Sequence, residues 1–434
     1  MNPMKVGLLG FGVVGSGTYA VLTRNAEEIS RRAGRQIVVS KVATRTPAKA
    51  VAVFGDRVPV SNDLAGLVAD PEVDIVVELI GGTTRARELV LAAIENGKHV
   101  VTANKALLAL HGNEIFALAS KKGVMVAFEA AVAGGIPIIK AIREGLTANR
   151  IQWLAGIING TTNFILSQMR EHGLPYETVL AQAQQLGYAE ADPAGDVKGI
   201  DAAHKLTLMA SLAFGIPIQF RKAHIEGITD LDQQDIVYAE RLGYRIKLLG
   251  ITRRREQGIE LRVHPALVPS KRLIANVEGA MNAVVVNGDA VGDTLYYGPG
   301  AGSEATASAV VADLVDVTRL HTSDPGNRVP HLAFQPGALS DTPILDMEDI
   351  RTSYYLRLSV EDRSGVLADL TRILADHQIS INSMMQEQDG ENRAIIIFLT
   401  HEAREGDVNT ALKTIEAMPF VYSSITRIRL EHLD

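Results

Sequence analysis

The run Gly10-Phe11-Gly12-Val13-Val14-Gly15 constrains the fold more than any other feature of the chain. It follows the short apolar segment Met4 to Leu9, which reads as a buried strand, and opens the segment Gly12 to Leu22, which reads as a helix. In that setting each glycine has a physical role. Gly10 allows the tight turn, Gly12 lets a pyrophosphate approach the backbone, and Gly15 lets helix and strand pack closely. The helix N-terminus attracts the negative charge. Gly-rich turns are common, so the pattern alone is weak; strand before and helix after are what make it a dinucleotide cradle.

Strand and helix go on alternating through residues 4–130. Strands are expected at Val38 to Ala43, Val73 to Ile80, His99 to Ala103 and Val124 to Ala127. Helices are expected at Thr84 to Asn96 and Ala106 to Lys122, the second broken at Gly112. Such alternation implies a parallel sheet with helices on both faces, a Rossmann-type α/β domain over residues 1–130.

The texture changes after Glu129. A strand at Ile151 to Ile158 precedes helices near 161–172, 176–186 and 197–214. Two hairpins follow, Arg245 to Arg253 with Ile259 to Val268, and Ala283 to Val286 with Ala290 to Tyr297 across Asn287-Gly288-Asp289. Segregated helices and antiparallel strands indicate an α+β domain over 131–322, for substrate and oligomerisation. The small-residue helix Ser303 to Leu320 is expected to pack back on the first domain. Residues 323–352 read as a linker. Residues 353–434 read as βαββαβ, a small ferredoxin-like module: Tyr354–Val360, Val366–His377, Ile381–Gln386, Arg393–Thr400, Gly406–Ala417 and Tyr422–Arg429.

Composition excludes several classes. The 434 residues suggest about three domains. With 43 Lys plus Arg against 50 Asp plus Glu, the formal charge of −7 gives no support for a nucleic-acid partner. No apolar run approaches the ~18–20 residues of a membrane span, and the N-terminus does not read as a signal peptide, so a cytoplasmic protein is expected. The absence of cysteine excludes disulfides, zinc–thiolate sites, iron–sulfur clusters and thiol nucleophiles.

Chemistry-bearing residues cluster at three places. First, the chain has no Asp or Glu between Glu28 and Asp56, where NAD-specific folds place an acid on the ribose hydroxyl. Arg45 instead follows the second strand and suits a 2′-phosphate; the plainer alternative is a solvated loop cation. NADP use is the expectation, with NAD as an accepted alternative. Second, Lys105 closes Val101-Thr102-Ala103-Asn104-Lys105 at a strand end, where ligands of open α/β sheets lie. An ordinary exposed Lys is the alternative, although a helix N-terminus disfavours cations. Third, an acidic loop from Leu186 to Asp196 leads into a helix carrying Asp201 and Lys205, four residues apart on one face. A routine surface ion pair is the common reason for such spacing. Against it, Ile200, Ala202, Ala203, Leu206, Leu208 and Met209 make this helix too apolar to be exposed. A buried Lys beside a carboxylate is a candidate general acid for a nascent alkoxide, and Glu190 and Asp196 suit a substrate ammonium group. His204 lies about 100° around the helix and is expected to be packed or exposed rather than catalytic.

On these residues the chain resembles bacterial homoserine dehydrogenases that carry a C-terminal ACT domain. The likeness is carried by Gly7 to Gly15, Thr102-Ala103-Asn104-Lys105, Asn159-Gly160-Thr161-Thr162-Asn163, Leu186 to Pro193, Asp196 to Lys205 and Gly298-Pro299-Gly300-Ala301-Gly302. The resemblance implies reversible, NAD(P)H-dependent reduction of L-aspartate 4-semialdehyde to L-homoserine in threonine, methionine and isoleucine biosynthesis. It implies Lys205, Asp201 and Lys105 as catalytic residues, Lys205 being the proton donor and Lys105 an acid–base residue between cofactor and substrate. It implies Glu190, Asp196, Thr161 and Tyr188 as the substrate-binding set. Gly10, Phe11, Gly12, Val13, Val14, Gly15, Arg45, Lys105, Gly187 and Gly302 make the cofactor set. Gly195 stands where some relatives carry a second acid. The resemblance also implies a structural monovalent-cation site, such as one for Na⁺, from Glu129 with the carbonyls of Val132, Gly134 and Ile136. In the ACT module, Asp362, Gly365, Val366 and Leu367 match the strand-to-helix turn and Asn382 the start of the second strand, with L-threonine as effector; dimerisation alone is the alternative role. A homodimer or homotetramer is expected.

Other readings are a different amino-acid or hydroxy-acid dehydrogenase, and a non-catalytic amino-acid sensor. The intact glycines together with Lys105 and Lys205 argue against the sensor. The missing cysteine closes the thioester route from aldehyde to acyl group, whereas hydride exchange between aldehyde and alcohol needs only a proton donor and a positioned cofactor.

Overall fold

The computed structural model describes residues 2–434, which divide into two compact units. The first comprises Met1–Gly160, Asp201–Arg221 and Ala280–Thr342; the second comprises Thr161–Ile200, Lys222–Gly279 and Pro343–Asp434.

The first unit is built on a six-stranded parallel sheet. Its order is Val60–Ser61, Ile37–Ala43, Met4–Leu9, Ile75–Glu78, His99–Thr102, Val126–Ala127. This is the doubly wound order, and it reverses between Met4–Leu9 and Ile75–Glu78, where such sheets open a crevice for ligands. Ile75–Glu78 and His99–Thr102 are buried throughout, so both faces of the sheet are covered. Part of that cover is the helix Ser303–Leu320. Its Ala307, Val310, Val311 and Leu314 share one core with Met4, Val6, Leu8, Ile75 and Val77. The unit also holds an antiparallel trio, Ile151–Ile157, Met281–Gly288 and Gly292–Pro299.

In the second unit Tyr244–Arg254 and Ile259–Pro269 form an eleven-pair antiparallel hairpin. The C-terminal module runs Arg351–Glu361, helix Val366–Asp376, Ile381–Gln388, Arg393–Thr400, helix Glu405–Glu416 and Thr426–Leu430. Its sheet order is fourth, first, third, second, the ferredoxin-like arrangement. Leu370, Leu374, Val408, Leu412 and Ile415 of the two helices pack on Leu356, Ile396 and Phe398 of the sheet. Its last strand also pairs in parallel with the hairpin, Ala266 opposite Arg429 and Leu267 opposite Leu430, so the module shares a sheet rather than standing alone.

Several local expectations need correction. The helix Lys105–Lys122 runs unbroken through Gly112. Both its ends are strongly capped, by the Asn104 side chain accepting from Leu107 N and by left-handed Gly123, and a Cβ at Gly112 would strike Ile218. The second hairpin turns at Asp289–Val291, because Gly288 pairs with Gly292. The last strand begins at Thr426, not Tyr422. The structure adds short helices at Ala26–Ala33, Pro47–Phe54, Leu64–Ala69 and Gln233–Arg241 to those the sequence pattern predicts. No helix among the described residues is long and apolar enough to cross a membrane.

Candidate active site

The cradle in the first unit has the expected form. Gly10 adopts φ +98°, and a Cβ there would lie 2.8 Å from the Leu79 carbonyl oxygen. At Gly15 it would lie 2.6 Å from the Gly10 carbonyl oxygen, whereas at Gly12 it would meet nothing within 4 Å. The loop is thus tight where it turns and open where a pyrophosphate must approach, so its residues fit a dinucleotide. Phe11 is buried, Val13 is exposed and Val14 half-buried at the first helical turn. Ser303 Oγ donates to the Val13 carbonyl at 2.8 Å, which brings Gly302 and a second helix N-terminus to the same place. The Gly10 amide donates to Ala43, and Arg45, two residues beyond, is exposed beside the cradle.

The neighbouring strand ends are organised by a buried carboxylate. Glu78 Oε1 accepts from the amides of Ile80 and Gly81 at 2.9 and 3.1 Å, and its Oε2 accepts from Thr102 Oγ1 at 2.7 Å. Thr102 Oγ1 accepts from the Asn104 amide, and Asn104 Nδ2 donates to the Gly82 carbonyl. This network holds Lys105 at the first position of its helix.

Lys105 reaches Asp201: Nζ lies 3.2 Å from Oδ1. One turn along the helix Ile200–Phe214, Lys205 Nζ donates to Asp201 Oδ2 at 2.6 Å and to the Ile158 carbonyl at 2.8 Å. Asn159 Nδ2 donates to Asp201 Oδ2 at 2.9 Å. Lys205 is only 8% exposed, so the pair is not a surface decoration. Burial by itself would raise the Asp201 carboxyl. The ammonium groups of Lys205 and Lys105 and the bonds from Lys205 and Asn159 outweigh it and hold the group well below the usual carboxylate range. A carboxylate that stays ionised between two ammonium groups can orient a proton donor toward an oxygen that gains charge. Nothing local in the sequence marks Asn159 for this contact: 42 residues separate it from Asp201, and only the folded chain joins them. His204 packs against Phe220, ring centroids 4.4 Å apart and tilted at 41°.

In the second unit, Thr161 Oγ1 donates to the Tyr188 carbonyl at 2.7 Å, tying the start of helix Gly160–His172 to the loop of Gly187, Tyr188 and Glu190. Gly187 is left-handed at φ +76°, Tyr188 and Glu190 are exposed, and Gln184 Nε2 donates to the Glu190 carbonyl. Asp196 is half-buried in the short turn Ala194–Val197.

Glu129 is 2% exposed, and its carboxylate accepts the amides of Ile139 and Lys140, both at 2.8 Å. Its own amide donates to Asp313 Oδ2 at 2.8 Å. Burial raises both acids against these bonds, and with Glu129 repulsion added, Asp313 is pushed up to about 7. Val132 to Ile136 bend through left-handed Ala133 and Gly134, and the Ile136 carbonyl accepts from Ile138. Glu129 supplies carboxylate oxygen, the kind of donor a hard cation takes, beside this bend.

In the C-terminal module the Asp362 amide donates to Asn392, Gly365 is left-handed before helix Val366–Asp376, Val366 is in the core, Leu367 packs at its edge, and Asn382 is exposed.

Profiles of known families match three stretches of the chain. Residues 10–129 match the profile of the homoserine dehydrogenase NAD binding domain, 137–315 that of homoserine dehydrogenase, and 354–420 that of the ACT domain. A homoserine dehydrogenase of Pseudomonas aeruginosa is 62% identical over 100% of both chains. The crystal structure of one from Thiobacillus denitrificans superposes with a TM-score of 0.96 at 66% identity, covering 100% of this chain and 99% of the other. A hyperthermophilic archaeal homoserine dehydrogenase mutant in complex with NADPH gives a TM-score of 0.63 at 26% identity, over 74% of this chain and 99% of that one.

Proposed function

The chain belongs to the homoserine dehydrogenase family of oxidoreductases, and we propose that its Asp201–Lys205 pair carries the proton in reversible reduction of L-aspartate 4-semialdehyde to L-homoserine. The observation that carries this reading is Asp201 shared between Lys205, Lys105 and Asn159. The nicotinamide, when bound, supplies the hydride. Lys205 holds a proton at Nζ and delivers it to the substrate oxygen as that oxygen becomes an alkoxide. Asp201 fixes the direction of the ammonium group, and Asn159 fixes Asp201. Lys105 neutralises charge at the same carboxylate and serves as the second acid–base group. Glu190 and Asp196 take the substrate ammonium group, with Thr161 and Tyr188 shaping their loop.

Gly10 to Gly15, Gly187 and Gly302 serve the cofactor. NADP is the preferred form: Arg45 stands where an NAD enzyme has an acid, and an archaeal relative was solved with NADPH. Glu129 with the carbonyls of Val132, Gly134 and Ile136 holds a structural monovalent cation away from the hydride transfer. The ACT module, through Asp362, Gly365, Val366, Leu367 and Asn382, takes L-threonine as a feedback effector. The protein works in the cytoplasm as a homodimer or homotetramer. The test is NADPH absorbance followed with aspartate semialdehyde, with and without threonine. Semialdehyde-dependent oxidation that threonine slows supports both readings. Oxidation that threonine leaves unchanged removes the effector alone, and no oxidation removes the activity.

A further inference from the structure

Asp196 sits in a turn that packs on Gly227 and Ile228, and the residue before them, Glu226, is contacted by the last strand of the C-terminal module. Arg429 of that strand is fully buried. Its Nη1 and Nη2 donate to the two carboxylate oxygens of Glu226 at 2.7 and 2.9 Å, and its Nε donates to Glu405 at 2.9 Å. Tyr354 donates to Glu405 at 2.6 Å, so the guanidinium is fixed on two sides. Glu226 also receives Arg427 at 3.3 Å and faces His224 Nε2 at 2.8 Å, and its amide donates to the Val263 carbonyl. The next two residues touch the turn. A Cβ at Gly227 would lie 2.2 Å from the Val197 carbonyl oxygen, and the Ile228 amide donates to that oxygen at 2.9 Å. Val197 follows Asp196 directly.

We propose that Glu226, clamped by Arg429, is a positioning residue for substrate binding: it fixes Gly227 and Ile228 against Val197 and so sets Asp196. This rests on Asp196 being a substrate residue. A bidentate carboxylate–guanidinium pair anchored on a buried arginine has directional stiffness that a single contact lacks. The C-terminal module is then part of the structure that sets Asp196.

The experiment uses the full-length chain and compares Asp196→Asn, Glu226→Gln and Glu226→Asp by steady-state kinetics. Glu226→Gln is expected to raise KM for aspartate semialdehyde by about 10-fold, with kcat and KM for NADPH within about 2-fold, and Glu226→Asp to recover part of the loss. A purely structural role would instead lower the active fraction, and hence kcat, with KM unmoved. A raised KM in Asp196→Asn with an unchanged KM in Glu226→Gln overturns the clamp alone. An unchanged KM in Asp196→Asn overturns the substrate role of Asp196 and the clamp with it. Should Glu226→Gln fail to fold, Glu226→Asp carries the test, since it keeps the charge but shortens the reach to Arg429; a higher semialdehyde KM supports the proposal and an unchanged one overturns it.

Discussion

Asp201 Oδ2 lies 2.6 Å from Lys205 Nζ, one helical turn apart, on a helix whose faces are almost wholly buried. An ion pair in such a place costs desolvation, and it persists because each partner has further bonds, Lys205 to Ile158 and Asp201 to Asn159 and Lys105.

Asp201→Asn keeps the shape and removes the charge. The Lys205 and Lys105 ammonium groups then face each other without a counter-ion, and the donor loses its direction. Turnover with semialdehyde should fall by about 10²-fold with little change in KM for NADPH. A loss of less than about 3-fold would show that Asp201 only fills space.

Gly12→Ala separates cofactor binding from folding. Its new methyl meets no protein atom within 4 Å, so the melting temperature should match that of the parent chain. If this open space takes the pyrophosphate, the methyl obstructs it, and NADPH affinity by fluorescence titration should weaken by about 10-fold or more. Unchanged affinity would place the phosphates elsewhere.

Arg45→Ala tests the form of the cofactor. KM for NADPH should rise by about 10-fold while KM for NADH stays put, because only NADPH carries the 2′-phosphate. Equal effects on both would make Arg45 a solvated cation.

Acid sensitivity follows from His99. Burial, with the nearby charges of His321 and Arg328, lowers it from its ordinary 6.5 to about 3, and its Nδ1 accepts from the Met125 amide. Below pH 6.5 the unfolded chain binds a proton that the folded chain refuses, so stability is lost as pH falls toward 3. At about 1.4 kcal/mol per pH unit, roughly 1–2 kcal/mol disappears over the first 1.5 units or so. His99→Gln keeps an acceptor for Met125 and should show a smaller drop in urea midpoint between neutral and mildly acid buffer. An identical drop in the two proteins would be evidence against this source.

Much of this was legible in the residues. The Gly10–Gly15 run, the alternating strands and the i, i+4 spacing of Asp201 and Lys205 are local signals. The unexpected short helices also carry local marks, Pro47 at a first turn, Asp63 and Asp232 as side-chain caps and left-handed Gly34, but they lack a long apolar period. Asn159 on Asp201 and Arg429 on Glu226 bridge 42 and 203 residues, and such pairings have no signature in a single sequence. Neither does the pairing of Leu267 with Leu430, which joins the C-terminal module to the hairpin.

The most direct test is turnover of Lys205→Met, measured beside its affinity for NADPH. Methionine matches the length and suits the buried site while removing the proton and the charge. The account predicts kcat lower by about 10²-fold or more with NADPH binding intact. Turnover near that of the parent protein would contradict it.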